Sequence, residues 1–543
     1  MNALLVLYAG SMSAEAAEPI IGGKSSLSLA VERARLFPGV AKTVLLADPL
    51  QMPGNEVPKG RALLEAALGG IPEGVLAEAR EEPWTVRALL EAIAAHSAGF
   101  DLTYFAWADC PFLDPELAGR IAERHLAYAA EYSYADGWPY GLAPELLSPG
   151  TAALLAKLMG DDGGTVGREA LFKTIQKDIN SFDIETEISS VDLRGHRISL
   201  CADSKRNLLL LRRFVAAGGG APAIPDTAAV ERIVTEKPAL LRSLPAFYPI
   251  QVYGGCPQAC SYCPWPAASE APVTEMRGFM DAQRFEALLD KIVVFSGDAV
   301  IDLSLWGEIA LHPEKTALIE AVMRRPELAL VVETSGIGWR LAELEKIAEI
   351  ARAAPLRRVP FPASLSWIVS LDSADPARYK EMRGPGFAEA QECAKKLHAL
   401  FPKSMYAQAV RAAGAEEDIE RFYRHWQEAL GGPDNIIIQK YDDFCGMLPR
   451  LQASDLSPVQ RQPCWHIMRD MPILIDGAVP LCRQQICAGK NAGEIILGNA
   501  FAEELEAIWE NGGRHYEAHI AAAAGSKYDA LCAKCDEYYT YNF

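Results

Sequence analysis

The stretch Tyr253-Gly-Gly-Cys-Pro-Gln-Ala-Cys-Ser-Tyr-Cys-Pro264 sets Cys256, Cys260 and Cys263 at a C-x3-C-x2-C spacing. Three thiolates in one short loop can ligate three irons of a cubane and leave the fourth iron without a protein ligand. An open coordination position is where a substrate or cofactor binds. A structural zinc site calls for a fourth nearby Cys or His, which this loop lacks; zinc is the competing reading. The loop directly follows the apolar run Ile250 to Tyr253, which reads as a strand. Five more strand-like runs recur downstream, each followed by a helical pattern: Ala299 to Leu305, Leu328 to Glu333, Trp367 to Leu371, Met405 to Arg411 and Asn435 to Lys440. Repeated strand-helix units predict right-handed crossovers and a parallel sheet. About 200 residues are available, fewer than the ~250 of a full eight-unit barrel, so the fold class is α/β with a partial (β/α)6 barrel over 246–455. In such folds the loops at the carboxyl ends of the strands carry the chemistry.

The cysteine loop, with aromatic Tyr262 before its third cysteine, resembles the signature of the radical SAM superfamily. The resemblance implies that the open iron chelates the amino and carboxylate groups of S-adenosylmethionine. It also implies that reduction of this [4Fe-4S] cluster releases a 5'-deoxyadenosyl radical. Leu305-Trp-Gly-Glu-Ile-Ala-Leu-His-Pro313 resembles the family's glycine-glutamate motif. Gly307 there permits close backbone approach and Glu308 is placed to accept from the cofactor's ammonium, with a helix cap as the plainer reading of Glu308. Trp306 replaces the usual second glycine. Glu333-Thr-Ser-Gly336, containing Ser335, resembles a T-N-G turn at the end of the third strand. Ser370 and Asp372 after the fourth strand, and Arg383 beyond them, fall in the resemblance near the cofactor's ribose and carboxylate. Loop-backbone satisfaction for the first two and a solvated surface charge for Arg383 are the alternatives.

A second group of cysteines lies near the carboxyl end. Cys464 is followed at C-x12-G-x4-C spacing by Gly477 and Cys482; Leu497-Gly-Asn499, a helical stretch with Leu505 and Trp509, and Cys532-Ala-Lys-Cys535 come after. Ile473 to Cys482 reads as a hairpin turning on Asp476-Gly477. The order resembles the SPASM domain appended to many radical SAM enzymes, and it implies that Cys464, Cys482, Cys532 and Cys535 hold one auxiliary [4Fe-4S] cluster. Zinc on the same four thiolates is the alternative. Cys487 is a spare thiol, a ligand only if the assignment of Cys482 is wrong. Tyr538, Tyr539, Tyr541 and Phe543 are expected to pack the tail. This segment, 456–543, has little core of its own, a deficit that metal cross-linking would offset.

Residues 1–215 alternate apolar runs, Leu4 to Tyr8, Thr43 to Ala47 and Leu102 to Trp107, with helical patterns, which predicts an open α/β domain; the glycine- and proline-rich segment 216–245 reads as a linker. Gly10, Lys24 and Asp109 stand where the nucleotidyltransferase fold of sugar-nucleotide synthases has its phosphate-cradling Gly, its Lys and its Mg2+-binding Asp, but the fuller glycine pattern and an Arg are missing. A degenerate, substrate-holding or structural domain is therefore weighed against an active nucleotidyltransferase. The whole order resembles the spiro-SPASM protein family.

The composition constrains the rest. With 71 acidic and 52 basic side chains the net charge is -19, which disfavours a nonspecific hold on nucleic acid. No apolar run reaches the ~18 to 20 residues of a membrane span, and no secretion signal opens the chain, so a cytoplasmic protein is expected. Eight of the 12 cysteines crowd into the two groups; Cys110, Cys201, Cys393 and Cys445 read as small buried hydrophobes. The leading expectation is a radical SAM enzyme that abstracts hydrogen from an unidentified substrate, with a peptide and a sugar nucleotide as candidates, fed by flavodoxin or ferredoxin. The alternatives are a bifunctional enzyme that also makes a sugar nucleotide and a non-catalytic iron-sulfur sensor.

Overall fold

A computed structural model describes residues 1–10, 12–47, 64–65, 68–80, 82–160, 164–218, 223–265, 278–357, 363–459, 461–486 and 495–540. Cys487, Tyr541 and Phe543 lie outside them. The chain forms two compact units, one ending at Ser243 and the other beginning at Leu244. No helix among the described residues is long and apolar enough to cross a membrane.

In the first unit the run Ala3–Ala9 is apolar throughout and every residue is buried, the pattern of a strand covered on both faces. It lies between parallel neighbours Val40–Ala47 and Leu102–Trp107. Val75–Ala79, Glu145–Leu147, Tyr132–Asp136 and Ile184–Ile188 complete a seven-stranded mixed sheet. The segment expected as a linker instead carries helix Thr227–Glu236, and its first residue donates from N and Oγ1 to Asp114 Oδ2 at 2.8 and 2.5 Å. Those bonds tie it to the first unit, and the two units divide at 243/244.

The second unit contains six parallel strands in chain order: Phe247–Pro249, Ala299–Asp302, Leu328–Thr334, Leu365–Ser370, Met405–Arg411 and Ile436–Lys440. Helices Ala282–Ser296, Lys315–Met323, Leu341–Ala353, Phe387–Leu400 and Glu416–Leu430 return the chain between successive strands. The sheet curls into a parallel half-barrel. The first strand starts three residues before the expected Ile250; Ile250 and Tyr253 make only isolated bridges, to Ile473 and Phe279. The core beneath the sheet is built from Tyr248, Leu289, Ile301, Leu330, Trp367 and their neighbours, and it continues without a break into Met471, Ile473, Val479, Ile508 and Trp509. The cysteine-rich tail thus shares the barrel's core, which is how so short a segment stays ordered. The Asp476-Gly477 turn forms, with Leu474 N donating to Ala478 O at 2.8 Å. Its second arm, Ala478–Pro480, pairs antiparallel with Ile496–Asn499, not with the first arm as the hairpin reading expected.

Candidate functional site

Because the six strands are parallel, their carboxyl ends open on one side, and a cavity there is lined from every one of them. Cys256, Cys260 and Cys263 reach it from the loop after the first strand, Gly307 and Glu308 after the second, Ser335 after the third, Ser370 at the end of the fourth. Gly307 has a steric cause: a Cβ would fall 1.7 Å from the Tyr253 carbonyl oxygen, so only glycine lets this turn rest on the cysteine loop. Glu308 N then donates to Gly255 O at 2.8 Å, which locks the two loops together. Trp306 adopts a φ of +47°, the left-handed region that the usual glycine would occupy without strain, and its indole stacks with Trp265 at a centroid separation of 6.2 Å.

Glu308 is 3% exposed. Its Oε1 accepts from Ala310 N at 3.0 Å and Thr334 Oγ1 at 2.7 Å, and its Oε2 from Ser335 N at 2.7 Å. It does cap the short helical turn Ile309–Leu311, but the bonds from the third strand's turn show that capping is only part of its role. The Ser335 side chain adds to these bonds, and Glu308 itself lines the cavity. Ser370 Oγ donates to Glu333 Oε1 at 3.0 Å, and Gln408 Nε2 donates to the same oxygen at 2.6 Å.

Asp372 and Arg383 are 2% and 5% exposed, so the surface-charge reading of Arg383 does not hold. Arg383 Nη1 pairs with Asp372 Oδ2 at 2.6 Å, Tyr262 OH bonds to both residues, and Arg383 Nε donates to Gln258 Oε1 at 3.0 Å. Val410 N donates to Asp372 Oδ1 at 2.8 Å, and Ser261 N to Met382 O at 2.8 Å. This buried network clamps the cysteine loop to the ends of the fourth and fifth strands. Gln258 belongs to it and no sequence pattern singled it out; its partner lies 125 residues away.

Burial pushes the Cys256 and Cys263 thiols up to about 12, and the Cys260 thiol also upward. Thiols held in this way are protonated at neutral pH until a metal displaces the proton.

A second cavity gathers Cys464, Cys482, Cys532 and Cys535, the four cysteines the spacing had grouped. It is also lined by Cys445 and His519, which the sequence reading had not placed there. His519 Nε2 lies 3.3 Å from Cys532 Sγ. His519, Asp529 and Cys532 bring three donor atoms within 4.8 Å of one another, an arrangement open to a single ion. Around the site Gly477 has a φ of +86° and no room for a Cβ, which would meet Phe501 at 2.5 Å. Asn499 fastens the neighbouring turn by accepting from Phe501 N at 2.9 Å and donating to Asp476 O at 3.0 Å. Tyr538, 5% exposed, packs with Cys464 and Ile467.

Residues 250–410 match the Radical SAM superfamily, and residues 464–536 match the SPASM iron-sulfur cluster-binding domain. The chain belongs to the radical SAM superfamily. An uncharacterized protein of Treponema pallidum (strain Nichols) is 35% identical over 380 residues, 69% of this chain and 98% of that one. Among solved structures, Streptococcus suis SuiB bound to precursor peptide SuiA aligns with a TM-score of 0.40 at 14% identity, over 68% of this chain and 82% of that one. A cytidylyltransferase from Leptospira borgpetersenii serovar Hardjo-bovis aligns at 0.35 and 16%, over 44% and 96%. Likenesses this loose say nothing about activity.

This radical SAM enzyme uses S-adenosylmethionine and a [4Fe-4S] cluster, its SPASM domain implies auxiliary iron-sulfur chemistry, and it acts on a substrate with the help of a reductant. Its donor sets fit those groups. Among the described residues no further Cys or His lines the first cavity, so a cubane held there keeps one iron open; the second cavity holds thiols enough to close all four.

In the first unit the residues matched to a nucleotidyltransferase are engaged elsewhere. Asp109, 2% exposed, accepts both prongs of Arg168 at 2.7 and 2.5 Å, and the same guanidinium reaches Asp203 at 3.1 Å and stacks over Trp107 at 4.2 Å. Lys24 Nζ pairs with Glu32 Oε2 at 2.7 Å. At Gly10 a Cβ would fall 2.2 Å from the Tyr8 hydroxyl, so packing alone accounts for that glycine.

Proposed function

We propose that the enzyme abstracts a hydrogen atom from an organic substrate bound at the open end of the half-barrel. In this reading Cys256, Cys260 and Cys263 ligate the cluster that binds S-adenosylmethionine, and Cys464, Cys482, Cys532 and Cys535 ligate an auxiliary cluster. Reductive cleavage of the bound S-adenosylmethionine supplies the 5'-deoxyadenosyl radical. The observation that carries the reading is the meeting of three thiols with Gly307 and Glu308 in one cavity that has no fourth thiol or imidazole among the described residues.

The chain's own residues divide the remaining work. Glu308, which lines the cavity, presents its carboxylate to the cofactor's ammonium for a charge-assisted bond. Ser335 and Ser370 line the wall for its polar groups. Tyr262, Asp372 and Arg383 hold the cysteine loop in place. Asp302, which burial raises to about 7, faces the same cavity and can exchange a proton near neutral pH. The substrate is a peptide or a sugar nucleotide, the electron donor a flavodoxin or ferredoxin, and the compartment the cytoplasm, where such thiols stay reduced.

We read the amino-terminal unit as a non-catalytic, substrate-holding or structural domain. Arg168 already neutralises the carboxylate that a divalent cation would need.

Anaerobic reconstitution should give about eight irons per chain, and the reduced protein should convert S-adenosylmethionine to 5'-deoxyadenosine. Tightly held zinc without iron-dependent absorbance would overturn the ligand assignment. An iron-loaded protein that makes no 5'-deoxyadenosine with dithionite or flavodoxin would overturn the catalytic one in favour of a sensor.

A further inference from the structure

Cys110 and Cys201 both belong to the first unit and stand 91 residues apart in the chain, yet their sulfurs lie 3.3 Å from each other. Both are buried, at 2% and 0% exposed, as expected of small hydrophobes; their contact goes beyond that reading. The chain beside them is fixed by bonds in which neither sulfur takes part. Asp109 O accepts from Ala202 N at 2.8 Å and from Ser26 Oγ at 2.9 Å, and Ala202 O accepts from Ser13 Oγ at 2.9 Å. Gly141, with φ of +99°, packs against the second cysteine, since a Cβ there would fall 2.8 Å from Leu200 O and 3.4 Å from Cys201 Sγ. The backbone thus brings the two thiols together, and a small shift of the side chains separates contact from a bond.

Asp109 sets a third donor atom within 4.8 Å of both sulfurs, as an ion site would. Its two oxygens already accept from Arg168, at 2.7 and 2.5 Å, which leaves the thiols to each other.

We propose that Cys110 and Cys201 form an oxidisable dithiol, which a hydroperoxide closes to a disulfide. One sulfur takes an oxygen from hydrogen peroxide as the O–O bond breaks, giving a sulfenic acid and water. The other sulfur attacks the first, the S–O bond breaks, and the S–S bond forms with loss of a second water. In sum the two thiols give up two electrons and two protons, and one peroxide is reduced to two waters. The bond ties the turn after strand Leu102–Trp107 to the segment before helix Lys205–Ala217 and closes a long loop, so it braces the first unit against unfolding. A pair of this kind stays open in a reducing compartment and closes under oxidation.

For the test, the anaerobically purified full chain is treated with hydrogen peroxide, denatured in an alkylating agent and cleaved with trypsin without reduction. Cys110 and Cys201 fall in different tryptic peptides, so the bond shows by mass spectrometry as one linked pair, two hydrogens lighter than its parts. The linked pair should be the main product of both cysteines, and dithiothreitol should restore the two thiols. The oxidised wild type should melt several degrees above the reduced form, a rise that Cys201→Ala lacks after the same treatment. Alkylated Cys110 and Cys201 in a sample whose exposed thiols are oxidised would overturn the proposal. So would a linked pair that forms only in urea, or an equal rise in Cys201→Ala. A metal ion lost from both Cys110→Ala and Cys201→Ala would also overturn it, by making the two cysteines ligands.

Discussion

Replacing Arg383 by Met removes the charge that faces Asp372 inside the clamp. Both side chains are at most 5% exposed, so no water is at hand to take over. Breaking a buried pair from one side leaves an uncompensated charge and costs about 3–5 kcal/mol. Tyr262 and Gln258 lose a partner in the same step, and both belong to the loop that bears Cys256, Cys260 and Cys263. The cost therefore falls on the closing of that loop. At about 1.4 kcal/mol per factor of ten, the open loop becomes roughly a hundred- to several-thousandfold more populated. The assay is extraction of iron by a chelator from the anaerobically loaded protein, followed by absorbance, with the auxiliary cluster as an internal reference. Iron should leave the first cluster of Arg383→Met about a hundredfold faster than in wild type, while the auxiliary half keeps its rate. Asp372→Asn suits the left-handed backbone at that position, where φ is +62°. The pair Arg383→Met with Asp372→Asn should be less labile than the sum of the two single changes, because neither partner is then left charged alone. A single variant with wild-type extraction, or a strictly additive pair, would refute the idea that this ion pair holds the loop shut.

Glu308→Gln turns Oε2, the acceptor of Ser335 N, into a donor facing a donor, at a cost of about 1–3 kcal/mol in the folded protein. It also weakens the bond offered to the cofactor's ammonium, so equilibrium dialysis should show S-adenosylmethionine binding reduced roughly ten- to a hundredfold with cluster absorbance intact. Asp302 gives a pH dependence. Its carboxyl is raised by burial from 3.8 to about 7, so the folded state holds this proton more tightly than the unfolded state; the resulting stability is complete below pH 3.8 and is lost as pH rises through about 7. Asp302→Asn should therefore gain thermal stability over wild type at pH 8 but not at pH 4, by at most about 4 kcal/mol and less with solvent in the cavity; equal gains at both pH values would contradict this. Isothermal titration of CTP with Mg2+ should show weak binding or none, because Arg168 holds Asp109; tight binding, with pyrophosphate release lost in Asp109→Ala, would restore the bifunctional alternative.

What the sequence made legible follows from how far apart the interacting residues lie. Leu102–Trp107 and Met405–Arg411 fall where the runs predict them, since each apolar stretch is bounded by turn residues. The first barrel strand was misplaced because Phe247 to Tyr253 is almost uniformly apolar, and a run without alternation does not say which of its residues pair. The local cysteine spacings group the seven thiols that line the two cavities. Cys445 escaped because it stands 19 residues before Cys464 in a turn with no recognisable spacing, and only the fold carries it to the second cavity. Arg168 and Gln258 escaped for the same reason, since each does its work through a partner at least 59 residues distant. Conversely, Gly307, Gly477 and Asn499 could be picked out, because a residue chosen by steric exclusion or turn bonding leaves its mark at its own position.

The two cavities are not independent. Pro249 and Arg483 line both, and Arg483 directly follows Cys482, one of the four proposed auxiliary ligands. Its guanidinium lies 3.6 Å from Glu537, which also takes Lys440 at 2.5 Å, and Lys440 closes the last barrel strand while lining the first cavity. The tail's Glu537 is thus fastened to Lys440 at the barrel's open end, with the tail's own Arg483 beside it. Pro249, Arg483, Lys440 and Glu537 make up the wall between the two cavities. The shared core below the wall fixes its thickness, because Met471 and Ile473 pack in one cluster with the barrel strands. A packed core has discrete arrangements and little give, so the separation of the two sites is set by the fold rather than by the charged residues between them. The charges are then left to tune the sites they touch.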